Sequence, residues 1–212
     1  MSKISQRIIT NASRLFAEKG YEKVSLRNIA DAAGTTIGNL TYHYPQKDKL
    51  IEAIFIDVQT QFFNKVNLLV ELEDDPFDRF LKVIGLLQKS RNEHPYYFKN
   101  MAQLCKVSDQ LMENMDRFSS FLHGFFIRTY DDLSKKGILR DDVTPEGYAV
   151  FARVSVLTVT LWQKAPPIFV HLSPPAVNME TAMHGLLFPY LTVEGINLFR
   201  RKTAQSGPAH HN

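Results

Sequence analysis

Between Gly34 and Pro45 the chain reads T-T-I-G-N-L-T-Y-H-Y. Thr36, Asn39, Thr41, Tyr42 and His43 are short polar or aromatic donors and acceptors crowded into eight residues. Leu40 and Tyr44 are spaced so that they can face inward while the polar set faces out. Such a set suits recognition rather than bond breaking. An Asn amide pairs with the edge of adenine, an aromatic or Ile side chain touches a thymine methyl, and hydroxyls and imidazole bind phosphate. Chemistry of the bond-breaking kind has little support elsewhere. Cys105 with His94 or His123 is the one pairing with the composition of a thiol nucleophile and base, and no local motif accompanies it. One cysteine in 212 residues also excludes a disulfide scaffold and a cysteine-cluster metal site, and it fits a reducing, cytoplasmic compartment. No catalytic residue, metal ligand or cofactor site is assigned, and the chain is not expected to be an enzyme.

The elements that must carry this segment read as helices almost throughout. Ile4, Ile8, Ala12, Leu15 and Phe16 form one apolar stripe, and Gly20 follows as a stop. Ser25 offers an N-cap for a second helix with Leu26, Ile29, Ala30 and Ala33 on its apolar side. Gly34 ends it. Thr35 and Thr36 are both cap candidates for a third helix, which runs to about Tyr44 before Pro45 closes it. Two short helices joined by a glycine-containing turn make a helix-turn-helix, whose second helix enters the major groove. A helix of that length, roughly 13 Å at 1.5 Å per residue, suits a groove about 12 Å wide.

Charge is distributed accordingly. Residues 1–50 hold eight Lys and Arg against four Asp and Glu, a net of +4, while the other 162 residues carry a net of −1. A basic head on a near-neutral body points to nucleic acid for the head and another task for the body, although four charges can also arise by chance. Hydrophobic content of 44% excludes a disordered chain, and no apolar run of about 18 residues is present to span a membrane.

In register with the family pattern, residues 4–50 resemble the DNA-binding domain of the TetR family of bacterial repressors. The resemblance rests on A-x-x-L-F-A-E-K-G-Y from Ala12 to Tyr21 and on S-L-R-N-I-A-D-A-A-G-T-T-I-G-N-L-T-Y-H-Y-P-Q-K-D-K-L from Ser25 to Leu50. It implies DNA contacts position by position. Ser25, Thr36, His43 and Lys47 fall at phosphate-binding places. Arg27 can reach a base edge or a phosphate, and Ile37, Asn39 and Tyr42 are the base readers. The chain departs from the pattern at Thr41, where many members place a phosphate-contacting tyrosine, and at Gln46, where a small capping residue is usual. Those departures leave room for the alternative of a helical ligand- or partner-binding protein without DNA binding.

Beyond the head, the expected architecture is all-α: residues 1–47 as the three-helix DNA-binding domain, 48–202 as a helical ligand-binding and dimerisation domain, and 203–212 as a disordered tail. Leu50, Ile54, Val58, Phe62 and Val66 mark a long fourth helix. Asp75 and Pro76 open a helix to about Arg91, and Pro95 starts a short one with Tyr96, Tyr97, Phe98 and Met101. Ser108 caps a long helix through Leu133, with Lys135, Lys136 and Gly137 at its end. Thr144 and Pro145 open another to Lys164. Its β-branched residues also allow a strand, but a lone strand would have no partner. Pro166–Pro175 reads as a loop, and a last helix from about Asn178 to Arg201 is expected to break near Gly185 because of Pro189.

One short head reads too few base pairs for specificity, so a twofold homodimer on a palindromic operator of double-stranded DNA is expected, with half-sites about 34–36 Å apart. The resemblance places the dimer contact on the last two helices, where Phe151, Val154, Leu157, Trp162, Met183, Leu187 and Leu191 are apolar enough to form it or to fill an intramolecular core. It also implies a small effector, apolar or aromatic, that releases the operator. Candidate pocket residues are Phe62, Phe63, Tyr97, Phe98 and Met101, followed by Met112, Phe118, Phe121, Phe125 and Trp162. A Met and Phe stripe at this spacing equally serves as plain core. His94, His123 and Cys105 are the polar groups among them.

Overall fold

The computed structural model describes residues 2–95, 109–162 and 177–205. These form helices in the order α1 (Lys3–Lys19), α2 (Leu26–Ala32), α3 (Ile37–His43), α4 (Lys47–Leu72), α5 (Pro76–Glu93), α6 (Asp109–Lys135), α7 (Pro145–Leu161), α8 (Met179–Leu187) and α9 (Val193–Gln205), with a 3₁₀ turn at Phe188–Tyr190. The fold is all-α with a helix-turn-helix near the N-terminus. Tyr97, Phe98, Met101, Cys105, the cap at Ser108, the helix after Pro95 and the Pro166–Pro175 loop lie outside the described residues.

The chain divides into two compact units, one within residues 1–65 and 89–118 and the other within 66–88 and 119–212. In the first, the stripes of α1 to α4 converge on one core. Ile8, Ile9, Ala12, Leu15 and Phe16 meet Ile29, Ala30, Ala33 and Leu40, and Leu50, Ile54, Phe55 and Val58 close it from α4. Local chemistry sets the helix ends. Ser2, Ser25 and Thr36 each accept a hydrogen bond from the backbone N–H three residues on, which satisfies an otherwise orphaned donor and stabilises each helix by about 1 kcal/mol. Of the two cap candidates for α3, Thr36 is the one used. Tyr44 terminates α3 and turns inward, where its hydroxyl shares a 2.5 Å hydrogen bond with Ser5 of α1.

The second unit has an aromatic core. Phe77 and Phe80 of α5, Leu122, Phe126 and Tyr130 of α6, Phe151 of α7, and Met183 and Leu187 of α8 are all buried. Tyr130 stacks on Phe151 with centroids 4.5 Å apart, and Phe151 stacks on Tyr190 at 4.2 Å. The Tyr130 hydroxyl and Ser155 Oγ bond each other at 2.7 Å, so neither buried polar group is left unmatched. The segment after Thr144 is helix, not strand, and it ends at Leu161, with Trp162 as its cap residue.

The break expected near Gly185 falls a few residues later. α8 continues to Leu187, and the chain then turns through Phe188–Tyr190 and restarts at Val193. Pro189 supplies no N–H, but the position of the break is set from a distance. Leu191 pairs with Leu139 in an isolated antiparallel bridge, Arg140 N donates to Tyr190 O, and Thr192 N donates to Ile138 O. Gly195 follows because a Cβ there would lie 2.2 Å from the carbonyl oxygen of Ile138. α9 then runs to Gln205, so Thr203 to Gln205, expected in the tail, are helical.

Candidate nucleic-acid interface

The turn between α2 and α3 is built around Gly34, whose φ of +60° favours a residue without a Cβ. The α2 terminus is held by a residue that the sequence pattern does not single out. Nη2 of Arg7, on α1, donates to the carbonyl of Ala33 and also reaches that of Gly34 at 3.4 Å. A guanidinium is well placed there, because the carbonyls at a helix end carry partial negative charge. No spacing rule reveals this contact, since Arg7 and Ala33 are 26 residues apart.

With α2 and the turn fixed, α3 inserts Leu40 into the core at 0% exposure and turns its other faces outward. Tyr42 is 84% exposed and Ile37 40%. Asn39, Thr36, Arg27 and Ser25 are exposed, while Thr41, His43 and Lys47 are half-buried. All nine expected DNA-binding residues therefore have surface access, and those on α3 share one short helix.

Several of these side chains already have partners. Ser25 Oγ donates to Asn28 Oδ1 at 2.7 Å and accepts from Asn28 N, and Asn28 Oδ1 in turn accepts from Ser25 N. This reciprocal cap fixes the start of α2. Asn39 Nδ2 donates to Thr35 Oγ1 at 2.8 Å. Thr41 Oγ1 lies 3.0 Å from the carbonyl of Ile37 and 3.1 Å from that of Gly38, so its hydroxyl hydrogen is directed back into the helix. Lys47 Nζ donates to the carbonyl of Tyr21 at 2.7 Å, leaving two ammonium hydrogens for other acceptors. His43 lies edge-on to Tyr42, with centroids 5.4 Å apart.

The residues expected to serve a ligand are placed differently. Phe62 and Phe118 are buried in the first unit, where Phe118 packs edge-on against both Phe62 (5.4 Å) and Phe63 (5.9 Å). Phe125 is buried in the second unit beside Phe126, and Phe121 and Trp162 are half-buried. Met112 is 54% exposed, on the outward side of α6 one residue from buried Leu111, so it does not join that interior.

The expected dimer set also divides. Phe151, Met183, Leu187 and Leu191 lie inside the second unit and are at most 5% exposed; Phe151 stacks between Tyr130 of α6 and Tyr190, and α8 packs against α7. Val154 and Leu157 remain on the surface, and Val150 and Leu161 join them. The spacing 150, 154, 157, 161 is one face of a helix.

Two histidines sit in environments that oppose protonation. Burial pushes His94 below its ordinary pKa, against the pull of Glu93 and Asp57, and its Nδ1 lies 3.3 Å from Ser13 Oγ. Burial likewise lowers His184, against Glu180. Among the described residues, Nε2 of His184 has no hydrogen-bond partner, and no group of three or more His, Cys, Asp or Glu could hold a metal ion. No described helix is long and apolar enough to cross a membrane.

Comparison with known proteins agrees with this geometry. The sequence profile described as "Bacterial regulatory proteins, tetR family" matches residues 8–54. The HTH-type transcriptional repressor KstR2 of Mycolicibacterium smegmatis is 28% identical over 79 residues, 37% of either chain. The nucleoid occlusion factor SlmA of Aliivibrio fischeri is 26% identical over 150 residues, 71% of this chain and 73% of that one. Among solved structures, a TetR-family transcriptional regulator from Marinobacter aquaeolei superposes with a TM-score of 0.71 at 19% identity, covering 92% of this chain and 93% of its own. At that identity the likeness is one of fold. The profile match spans α2, the turn and α3 in full.

Proposed function

We propose that the chain is a DNA-binding regulator of the TetR family, a repressor that grips a palindromic operator as a homodimer and is released by a small apolar or aromatic effector. One observation carries this reading. α3 buries Leu40 and presents Ile37, Asn39 and Tyr42 outward on a head whose α2 and α3 are capped by Ser25 and Thr36 and whose turn is held by Arg7. A rigid helix with an exposed polar and aromatic face matches major-groove readout, with Asn39 facing an adenine edge and Ile37 or Tyr42 touching thymine methyls. Ser25, Arg27, Thr36, His43 and Lys47 surround that face with groups that bind phosphate. Thr41 directs its hydroxyl hydrogen into its own helix, so its contribution to phosphate binding is small.

The surface stripe Val150, Val154, Leu157 and Leu161 on α7 supplies the self-association face. Four aliphatic side chains on one exposed helical face favour burial against a twofold copy, which brings two heads to one duplex. Within the second unit, aromatic side chains such as Phe121 and Phe125 favour an apolar effector. To empty a nearly saturated operator the effector must bind the released state about 10⁴-fold more tightly, or about 5.5 kcal/mol.

The test is a gel shift with the duplex upstream of the chain's own gene, across a salt series and against an unrelated duplex of equal length. Tighter binding to the upstream duplex, with log K falling linearly in log salt, is the expected result. Equal affinity for both duplexes, or none for either, overturns it.

A further inference from the structure

We propose that Thr35 is a positioning residue for base selection: it holds the Asn39 amide in the orientation that selects adenine. The inference rests on the reading of Asn39 as a base contact and adds to it a residue outside the expected interface set.

Asn39 stands in the first turn of α3, with its backbone N–H donated to Thr36 Oγ1 at 3.1 Å, so its Cα has a fixed place. Thr35 is fixed independently. Its backbone N–H donates to the carbonyl of Ala30 at 3.0 Å, which ties it to α2 and the turn. Between these two anchored residues runs the 2.8 Å hydrogen bond from Asn39 Nδ2 to Thr35 Oγ1. Asn39 is exposed and Thr35 half-buried, so the bond lies at the edge of the reading face and leaves the amide open to a ligand.

An asparagine amide that can turn freely presents donor and acceptor interchangeably. Adenine requires a fixed pair, an acceptor for its N6–H and a donor for N7, whereas guanine offers two acceptors, N7 and O6. An amide nitrogen carries two hydrogens. One goes to Thr35. The other, together with Oδ1, forms the donor and acceptor pair that adenine matches and guanine does not. Without the Thr35 hydroxyl, Nδ2 has both hydrogens available and the amide can rotate, which admits guanine at the same position. Thr35 thereby acts on specificity through Asn39, with no base contact of its own.

The experiment selects duplexes from a pool with a random central segment, using the full-length chain and the Thr35→Val, Thr35→Ser and Asn39→Ala variants, with thermal melts to confirm folding. The wild type should enrich one position per half-site in adenine. Thr35→Ser should retain that preference. Thr35→Val should keep the remaining motif while the adenine-to-guanine ratio at that position falls by about fivefold or more. Thr35→Ala removes the same acceptor and replaces the valine variant if β-branched packing prevents folding. An unchanged adenine preference in Thr35→Val or Thr35→Ala, with the preference lost in Asn39→Ala, overturns the proposal and leaves Asn39 as a reader. Adenine retained in Asn39→Ala overturns the role of Asn39 as well, and a wild type that enriches no motif overturns the operator-binding reading itself.

Discussion

Lys47 Nζ donates to the carbonyl oxygen of Tyr21 at 2.7 Å and lies 4.0 Å from the centre of the same residue's ring. The Tyr21 hydroxyl in turn donates to Asp48 Oδ1 at 2.7 Å. The loop between α1 and α2 is thus fastened to the first turn of α4 by two side chains. Lys47→Ala should have two separable effects. Loss of the cation from the ring lowers stability by about 0.5–1 kcal/mol, read as a decrease in Tm. Loss of a phosphate contact lowers the salt slope of DNA binding by about 0.9 per monomer. A lower Tm with an unaltered slope would show that the lysine serves Tyr21 alone.

Gly34→Ala forces an L side chain into φ +60° and sets its Cβ 2.7 Å from Arg7 Nη2. The guanidinium can swing away, at the expense of its bond to Ala33, whereas the backbone strain has no such outlet. We expect a loss of about 1–2 kcal/mol in thermal or urea unfolding. Arg7→Ala should weaken DNA binding through a looser turn, and binding as strong as wild type would show that the turn holds without it.

Leu157→Asp and Phe151→Ala should separate along the line drawn by burial. Leu157 is 55% exposed, so a charge there leaves the fold intact, shifts the chain toward monomer in sedimentation and lowers operator affinity at least tenfold. Phe151 is buried, and truncating it should destabilise the fold by about 3–5 kcal/mol. An unaltered sedimentation coefficient for Leu157→Asp would move the dimer face off α7.

Acidification should weaken the fold first through its histidines. His94 and His184 are held below the ordinary value of 6.5, so the unfolded chain binds their protons more tightly than the folded one. Their contribution is complete above that value and is lost as pH falls from about 6.5 through the lower folded pKa values. Asp75, Glu73 and Asp142, all held below their ordinary carboxylate values, weaken the fold only at more acidic pH. Urea unfolding between pH 5 and 7 should therefore show stability rising with pH, and His184→Gln should reduce that rise. An equal slope in the variant would assign the effect to other groups.

The head was largely legible in its residues because the forces that shape it are local. Caps at Ser25 and Thr36 act over three residues, Gly34 meets its own backbone requirement, and the 3.6-residue period alone places Leu40 inward and Tyr42 outward. Pairings between distant residues left no periodic trace. Arg7 with Ala33 and Lys47 with Tyr21 are each 26 residues apart, and only folding brings them within reach.

The body shows the limit most clearly. A helix after Thr144 follows once a lone strand is denied a partner, and an interruption near Gly185, a few residues before its actual place, follows from the missing N–H of Pro189. Composition and spacing could not sort Phe151, Met183, Leu187 and Leu191 from Val154 and Leu157, because α7 is apolar on almost every side and its inward face depends on which helices arrive to cover it. The site of the interruption was likewise set by Gly137, Ile138 and Leu139, which meet the chain at Leu191 and Thr192 across some 54 residues. A periodic pattern states that a side chain seeks burial; the packed neighbours alone state where that burial occurs.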